Sequence, residues 1–155
     1  MRDEDDRSSL FFLLLSHHTR EELHRTIRLK VMGRDLYLCA RCTGIAAGLA
    51  AYALSGQRVA ALLDNPLLLL LLPAPAMIDW VTQTVGLRES NNPLRVATGF
   101  LLGACWAGML DLFLRDWSNA ALWLTALVYV AAFFLALPHR LRGLERRLSA
   151  SRKGD

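Results

Sequence analysis

The sequence predicts an all-α integral membrane protein that crosses the bilayer about four times, with a short N-terminal cytoplasmic helix and a small β-hairpin ahead of the first span. Three observations predict this. Of 155 residues 54% are hydrophobic and 21% charged, with mean hydropathy +0.28. The apolar residues fall into four blocks, each close to the ~20 residues that carry a helix across roughly 30 Å of hydrocarbon. Lys and Arg are distributed unevenly between the two sides of those blocks. A soluble four-helix bundle would show a polar stripe along each helix, and Pro66 to Pro75 (PLLLLLLPAP) and Ala120 to Leu137 show none.

Taken in order, residues 1–35 form a cytoplasmic segment, residues 36–138 the transmembrane domain and residues 139–155 a basic cytoplasmic tail. The first residues are acidic (Asp3, Glu4, Asp5, Asp6). The apolar run Leu10 to Leu15 then lasts only six residues, so it lacks the features of a signal peptide and is expected to pack on the membrane face. Thr19-Arg20-Glu21-Glu22 has the spacing of a capping box, in which Thr19 and Glu22 satisfy each other's backbone donors, and so predicts the start of a short helix. After Arg25 the period becomes two: Ile27, Leu29 and Val31 alternate with Arg28, Lys30 and Met32. Gly33-Arg34-Asp35 supplies turn chemistry, and Leu36-Tyr37-Leu38 can pair back. The alternative is a helix running from Thr19 straight into the membrane.

The expected spans are Leu36 to Ser55, Leu62 to Thr82, Val96 to Leu114 and Asn119 to Leu137. Gly44-x-x-x-Gly48 and Gly99-x-x-x-Gly103 strip one face of the first and third spans of side-chain bulk, which predicts that these two helices touch. Pro73 and Pro75 should kink the second span or open its backbone, tolerable at membrane depth only where protein or water satisfies the freed carbonyls.

Fifteen of the eighteen Lys and Arg lie before Leu36, between the second and third spans, or in the tail. Arg41 opens the first span, leaving Arg58 and Arg115 for the opposite loops. The positive-inside rule then places both termini and the second loop in the cytoplasm, as in a multi-pass protein of the cell membrane. The expected partners are membrane lipids, through anionic headgroups at the cytoplasmic face. Nucleic acid is excluded, since the basic tail lacks the interleaved aromatics of a single-strand binder. Homo-oligomerisation is open.

Two constellations carry potential chemistry. The first is His17, His18, Cys39 and Cys42. Thiolates and neutral imidazoles are soft or borderline donors, and two cysteines three apart can hold zinc, or secondarily iron or an iron–sulfur cluster, when two further ligands fold over them. The pair could instead be a redox dithiol, its cysteines acidified by a helix N-terminus and Arg41, or two small buried residues beside interfacial histidines. The third cysteine, Cys105, lies about halfway through the third span.

The second constellation is polar: Asp79 and Gln83 on one helix face, then Arg88, Glu89, Ser90, Asn91 and Asn92, then Arg95 and Thr98 at the opening of the third span, with Arg25 and Arg41 brought to the same membrane face. A charge at the edge of hydrocarbon is costly unless partnered, so Asp79 and Arg95 are expected within direct or one-water reach in a shared site. A plain ion pair that fixes helix register is the alternative. Asp111 and Asp116 read as ordinary interfacial acids.

The run Cys39-Ala40-Arg41-Cys42-Thr43-Gly44, a His-containing segment with Arg25 upstream, and Ile78-Asp79, Gln83, Gly86-Leu87-Arg88-Glu89-Ser90-Asn91-Asn92, Leu94-Arg95 and Thr98-Gly99 downstream resemble the domain-of-unknown-function family numbered 2085, over about residues 16 to 110. The resemblance implies a small prokaryotic membrane protein with several helices and brings no activity with it. Where that family often has Cys-His-Gln, this chain has His17-His18-Thr19, a replacement that keeps a metal donor.

Three function classes follow. The first is a membrane protein with a cytoplasm-facing polar site built around a Cys/His metal centre. The second is an intramembrane enzyme acting on a phosphorylated lipid headgroup, with Arg88 and Arg95 binding phosphate and Asp79 or Glu89 supplying acid–base or magnesium-binding chemistry. The third is a small transporter with an ion site at Asp79 and the Pro73 to Pro75 break, which four spans could enclose only as an oligomer.

Overall fold

The alternating stretch after Arg25 folds as one arm of an antiparallel hairpin; the computed structural model describes residues 20–31, 34–55 and 57–151. Strand β1 (Thr26–Val31) pairs with β2 (Arg34–Cys39), from Thr26 opposite Cys39 to Val31 opposite Arg34. Arg28 grips Asp35 across the strands with two bonds of 2.9 and 2.5 Å. That fork holds the Asp35 carboxyl below the usual carboxylate range, chiefly through its hydrogen bonds from Arg28. Over the described residues, the short helix expected from Thr19 is a six-residue 3-10 turn, Arg20–Arg25; Thr19 itself lies outside them.

The hairpin decides where the first long helix begins. The expected start at Leu36 is corrected to Ala40, because the backbone of Leu36 to Cys39 bonds to β1 and cannot also close helical turns. Helix α1 is therefore Ala40–Ser55, followed by α2 (Gln57–Leu63), α3 (Pro66–Leu71), α4 (Ala74–Thr84), α5 (Asn92–Arg115) and α6 (Ala120–Ser151). Among the described residues three segments are long and apolar enough to cross a membrane: Pro66–Thr84, Asn92–Arg115 and Ala120–His139. The last runs past the expected end at Leu137, since α6 stays helical through Pro138.

Between α3 and α4 the prolines break the helix as expected, and the protein itself satisfies the freed carbonyls. Pro73 has no N–H to offer Leu69, whose carbonyl accepts instead from the Cys105 thiol at 3.6 Å. The neighbouring carbonyl of Leu70 accepts from the Tyr129 hydroxyl at 2.5 Å. Cys105 is thus a buried structural donor, within a cluster of Leu63, Leu69, Leu112 and Leu122. At the other end of α4, Gly86 adopts φ +77°, and the N–H groups of Gly86 and Leu87 return to the carbonyls of Gln83 and Thr82, a left-handed turn that stops the helix and frees the chain to reverse.

The two glycine motifs meet as expected, with α1 and α5 parallel and in backbone contact. A methyl group built on Gly44 would lie 2.2 Å from the Val96 carbonyl oxygen, and one on Gly48 2.1 Å from that of Phe100. From the other side, Gly99 faces the Arg41 carbonyl at 2.5 Å and Gly103 that of Ile45 at 2.2 Å. Parallel packing has a topological consequence: between α1 and α5 the chain must return to its starting end, which is the path α3 and α4 take. Helix α6 returns likewise, its start against α5 through Phe113 and Trp123 and its middle against α4 through Phe133 stacked on Trp80 at 5.2 Å. One end of the bundle therefore gathers the hairpin, the α4–α5 loop and the later turns of α6.

The opposite end carries its own charged group. Arg115 reaches Asp64 at 2.9 Å and Asp111 at 3.0 Å, and Asp111 also accepts from the Tyr52 hydroxyl at 2.8 Å. Asp111 is thus corrected from an ordinary interfacial acid to a link between α1 and α5. Asp116 only caps the following turn, accepting from the backbone and hydroxyl of Ser118. Arg95 and Arg115 lie twenty residues apart on one helix, about 30 Å at 1.5 Å per residue, so the two polar ends are separated by one hydrocarbon thickness.

Candidate functional site: an arginine cluster at one end of the bundle

Four elements deliver the polar residues to one end. Arg41 sits in the first turn of α1, Asp79 and Gln83 one turn apart on α4, Arg88 to Asn91 in the following loop, and Arg95 in the first turn of α5. Asn91 caps α5, its side chain accepting from the Leu94 N–H at 2.9 Å, with Pro93 preset for the opening turn. Asn92 donates to the Thr26 carbonyl at 3.0 Å, pinning the hairpin to the start of α5. Glu89 points the same way, 3.4 Å from Arg25 and 3.8 Å from His24.

Asp79 is the hub. It is 1% exposed, and each carboxylate oxygen is filled: Oδ1 by Arg88 at 2.9 Å, Oδ2 by Arg41 and by the Gln83 amide at 2.8 Å. The Gln83 amide oxygen then accepts from Arg95 Nη2 at 2.9 Å. Only one orientation of that amide serves both neighbours, its NH2 toward the carboxylate and its oxygen toward the guanidinium. Asp79 and Arg95 do share one site, as expected, but the direct bond is replaced by a Gln83 bridge. Arg41 and Arg88 take the carboxylate, and the Gln83 side chain fills the space between α4 and α5.

Arg95 is left with an excess of charge. It is 4% exposed, its Nη2 meets a neutral amide, and its Nη1 is buried with no acceptor among the described residues. Arg41 Nε is likewise buried and unbonded. Within α1, α4, α5 and the α4–α5 loop, Arg41 and Arg88 bond the Asp79 carboxylate, and Arg95 reaches it only through Gln83. Buried polar groups are satisfied in the great majority of proteins, so unbonded guanidinium nitrogens mark a place where an acceptor belongs.

The other expected residues have local roles. Thr98 is buried and bonds the carbonyls of Leu94 and Arg95 at 2.9 and 3.4 Å, and Ser90 is buried with its hydroxyl 3.4 Å from the Asn91 carbonyl. Cys39 is buried and Cys42 exposed; both are free thiols in contact with one another at the junction of β2 and α1. Among the described residues no group of three or more His, Cys, Asp or Glu gathers as a metal site would require. His17 and His18, the remaining ligands expected for zinc or iron, lie outside the described residues. The group at the far end, Tyr52, Asp64, Asp111 and Arg115, was not expected as a unit. The spacing of Asp111 and Arg115, one helical turn, was its only local signal.

The chain is similar to two archaeal proteins that are described as uncharacterised. It is 35% identical over 77 residues to an uncharacterised protein of Methanocaldococcus jannaschii, covering 47% of this chain and 49% of that one. It is 45% identical over 76 residues to an uncharacterised protein of Methanothermobacter thermautotrophicus, covering 46% and 66% respectively. The matches thus span about half to two thirds of these relatives' lengths. No solved structure matches the chain. The model of the DUF2085 family, described as a predicted membrane protein, matches residues 20–110, a stretch that holds the hairpin, the paired glycine motifs and every arginine of the cluster, and the chain belongs to that family.

Proposed function

We propose that the protein binds a phosphate or carboxylate group at the arginine cluster, on the cytoplasmic face of a four-span membrane domain. The carrying observation is Arg95, buried with a neutral amide on Nη2 and, among the described residues, no acceptor on Nη1. Guanidinium stays protonated at any physiological pH, and a buried charge without a counter-charge costs several kcal/mol. An incoming anion supplies both the missing charge and the missing acceptors, in the forked geometry that arginine favours.

This reading predicts that inorganic pyrophosphate raises the melting temperature of the detergent-purified protein relative to chloride at matched ionic strength. Arg95→Gln should lose most of the rise while keeping its own fold. No pyrophosphate-specific rise in the wild type would remove the proposal.

The fourth span in this reading is α1. Its sixteen residues cover about 24 Å, short of the other three, yet it lies along α5 from the level of Arg41 to that of Asp111. Fifteen of the eighteen basic residues precede Leu36, lie between Thr82 and Val96 or follow Leu137, a distribution that supports a cytoplasmic position for the Arg41 end. In a background with the three native cysteines replaced by serine, Ser118→Cys should react with an impermeant maleimide on intact cells, and Leu87→Cys only after permeabilisation. The reverse pattern would invert the topology.

A further inference from the structure

Beside the arginine cluster a groove of about 670 Å³ runs between α4, α5 and α6, walled by Met77, Trp80, Trp106, Met109 and Phe133, with Arg41 its one charged lining residue among the described residues. That volume lies within the roughly 300–1,000 Å³ of ligand sites, and the wall is almost wholly apolar. Arg41 therefore belongs to two places at once. It lines the groove, and it bonds Asp79, which holds Arg95 through Gln83.

The place of Arg41 in the groove identifies the leaflet from which a head group would enter. The Arg41 backbone packs on Gly99, and the groove extends along α5 as far as Met109. Ten helical residues rise about 15 Å, which is half of a ~30 Å hydrocarbon core. Measured from Arg95 toward Arg115, the groove runs from about 6 Å to about 21 Å into the hydrocarbon, starting at the Arg41 end and passing the midplane. A single acyl chain entering from the leaflet at the Arg41 end would occupy that length, its head group at the guanidinium nitrogens that lack acceptors.

We infer that the arginine cluster and the groove form one site for an anionic lipid with a terminal phosphate, with the phosphate between Arg41 and Arg95 and a chain along α4, α5 and α6. This inference rests on the anion-binding reading above and adds the ligand class to it. A free phosphate would use the cluster alone, and a zwitterionic lipid, whose phosphate already carries its own cation, would bring no net charge to offset the arginines. Arg41, which carries an unbonded nitrogen, joins the cluster to an apolar channel about 15 Å long, and that favours a molecule with both parts.

The test separates the two halves. Native mass spectrometry of the detergent-solubilised protein, with phosphatidic acid and phosphatidylcholine of equal chain length in competition, should show retained adducts mostly of phosphatidic acid. Lysophosphatidic acid should bind at least about tenfold tighter than glycerol 3-phosphate, because each methylene removed from water contributes about 0.8 kcal/mol. Ala126→Trp, which fills the groove from α6, should lose the lipid adduct yet keep the pyrophosphate-induced rise in melting temperature, whereas Arg95→Gln loses both. Equal binding of glycerol 3-phosphate and lysophosphatidic acid would overturn the lipid site and leave the anion site standing. Equal retention of the two diacyl lipids would overturn the head-group assignment. Absence of both the adduct and the pyrophosphate effect in the wild type would overturn the anion reading itself.

Discussion

Gly48→Ala is expected to destabilise the protein by about 2 kcal/mol or more, and Gly48→Ala with Gly103→Ala together to prevent stable association of α1 with α5. The added methyl at Gly48 would sit 2.1 Å from the Phe100 carbonyl oxygen and 2.8 Å from the Ala104 nitrogen. Both obstacles are backbone, so neither can swing aside, and relief requires the whole helix to move out. In a membrane that loss is not offset by apolar burial elsewhere, because lipid is as apolar as the helix face and association depends on close packing. An internal control exists at Gly108, where the nearest atoms a methyl would meet belong to the Leu63 side chain, at 2.2 Å from its Cδ1. A side chain tip can rotate, and alanine gains roughly 1 kcal/mol of helix propensity over glycine. Gly108→Ala should therefore be within about 1 kcal/mol of wild type. Unfolding of detergent-solubilised variants by denaturant titration measures both. A Gly48→Ala protein as stable as Gly108→Ala would show that α1 and α5 do not pack through their glycines.

The second large effect is expected at Asp79. Asp79→Ala removes the acceptor of two arginines and the partner of the Gln83 amide in one step. Removing one partner of a buried pair costs about 3–5 kcal/mol because the other charge stays behind uncompensated. The low end applies here, since the Arg88 side chain is 42% exposed and water can take it over, leaving mainly Arg41, at 22%. About 3 kcal/mol is the expected loss. Arg41→Gln in the same chain should recover part of it, as the stranded charge is then gone, whereas Arg115→Gln at the far end should add to it independently. A stability within about 0.5 kcal/mol of wild type for Asp79→Ala would mean that the carboxylate is not the hub of the cluster.

Much of this architecture is legible in the sequence because it depends on local patterns. Apolar runs of span length, a two-residue period closed by Gly33-Arg34-Asp35, glycines four apart and prolines inside a helix each act within a few residues of themselves, so the hairpin, the three apolar spans and the broken helix all follow. An acid at Asp79 and an arginine at Arg95 were bound to meet polar company, because hydrocarbon leaves no other solution. Which company was not encoded locally. That Arg41 and Arg88 take the carboxylate while Gln83 spans the gap to Arg95 depends on α1 lying parallel to α5 in a register set by glycine contacts fifty-odd residues apart in sequence. The same holds for Cys105, an apparent candidate for thiol chemistry that only the packed structure shows donating to the carbonyl stranded by Pro73. It holds too for the start of α1, moved to Ala40 by strand pairing. The sequence by itself determined that the protein enters the membrane and that charged residues collect at its edge, since burial of apolar surface and the cost of unpartnered charge are properties of each segment alone. The tertiary structure decided that one arginine of the cluster would be buried without its acid, because that is a statement about how four elements from distant parts of the chain share a single carboxylate.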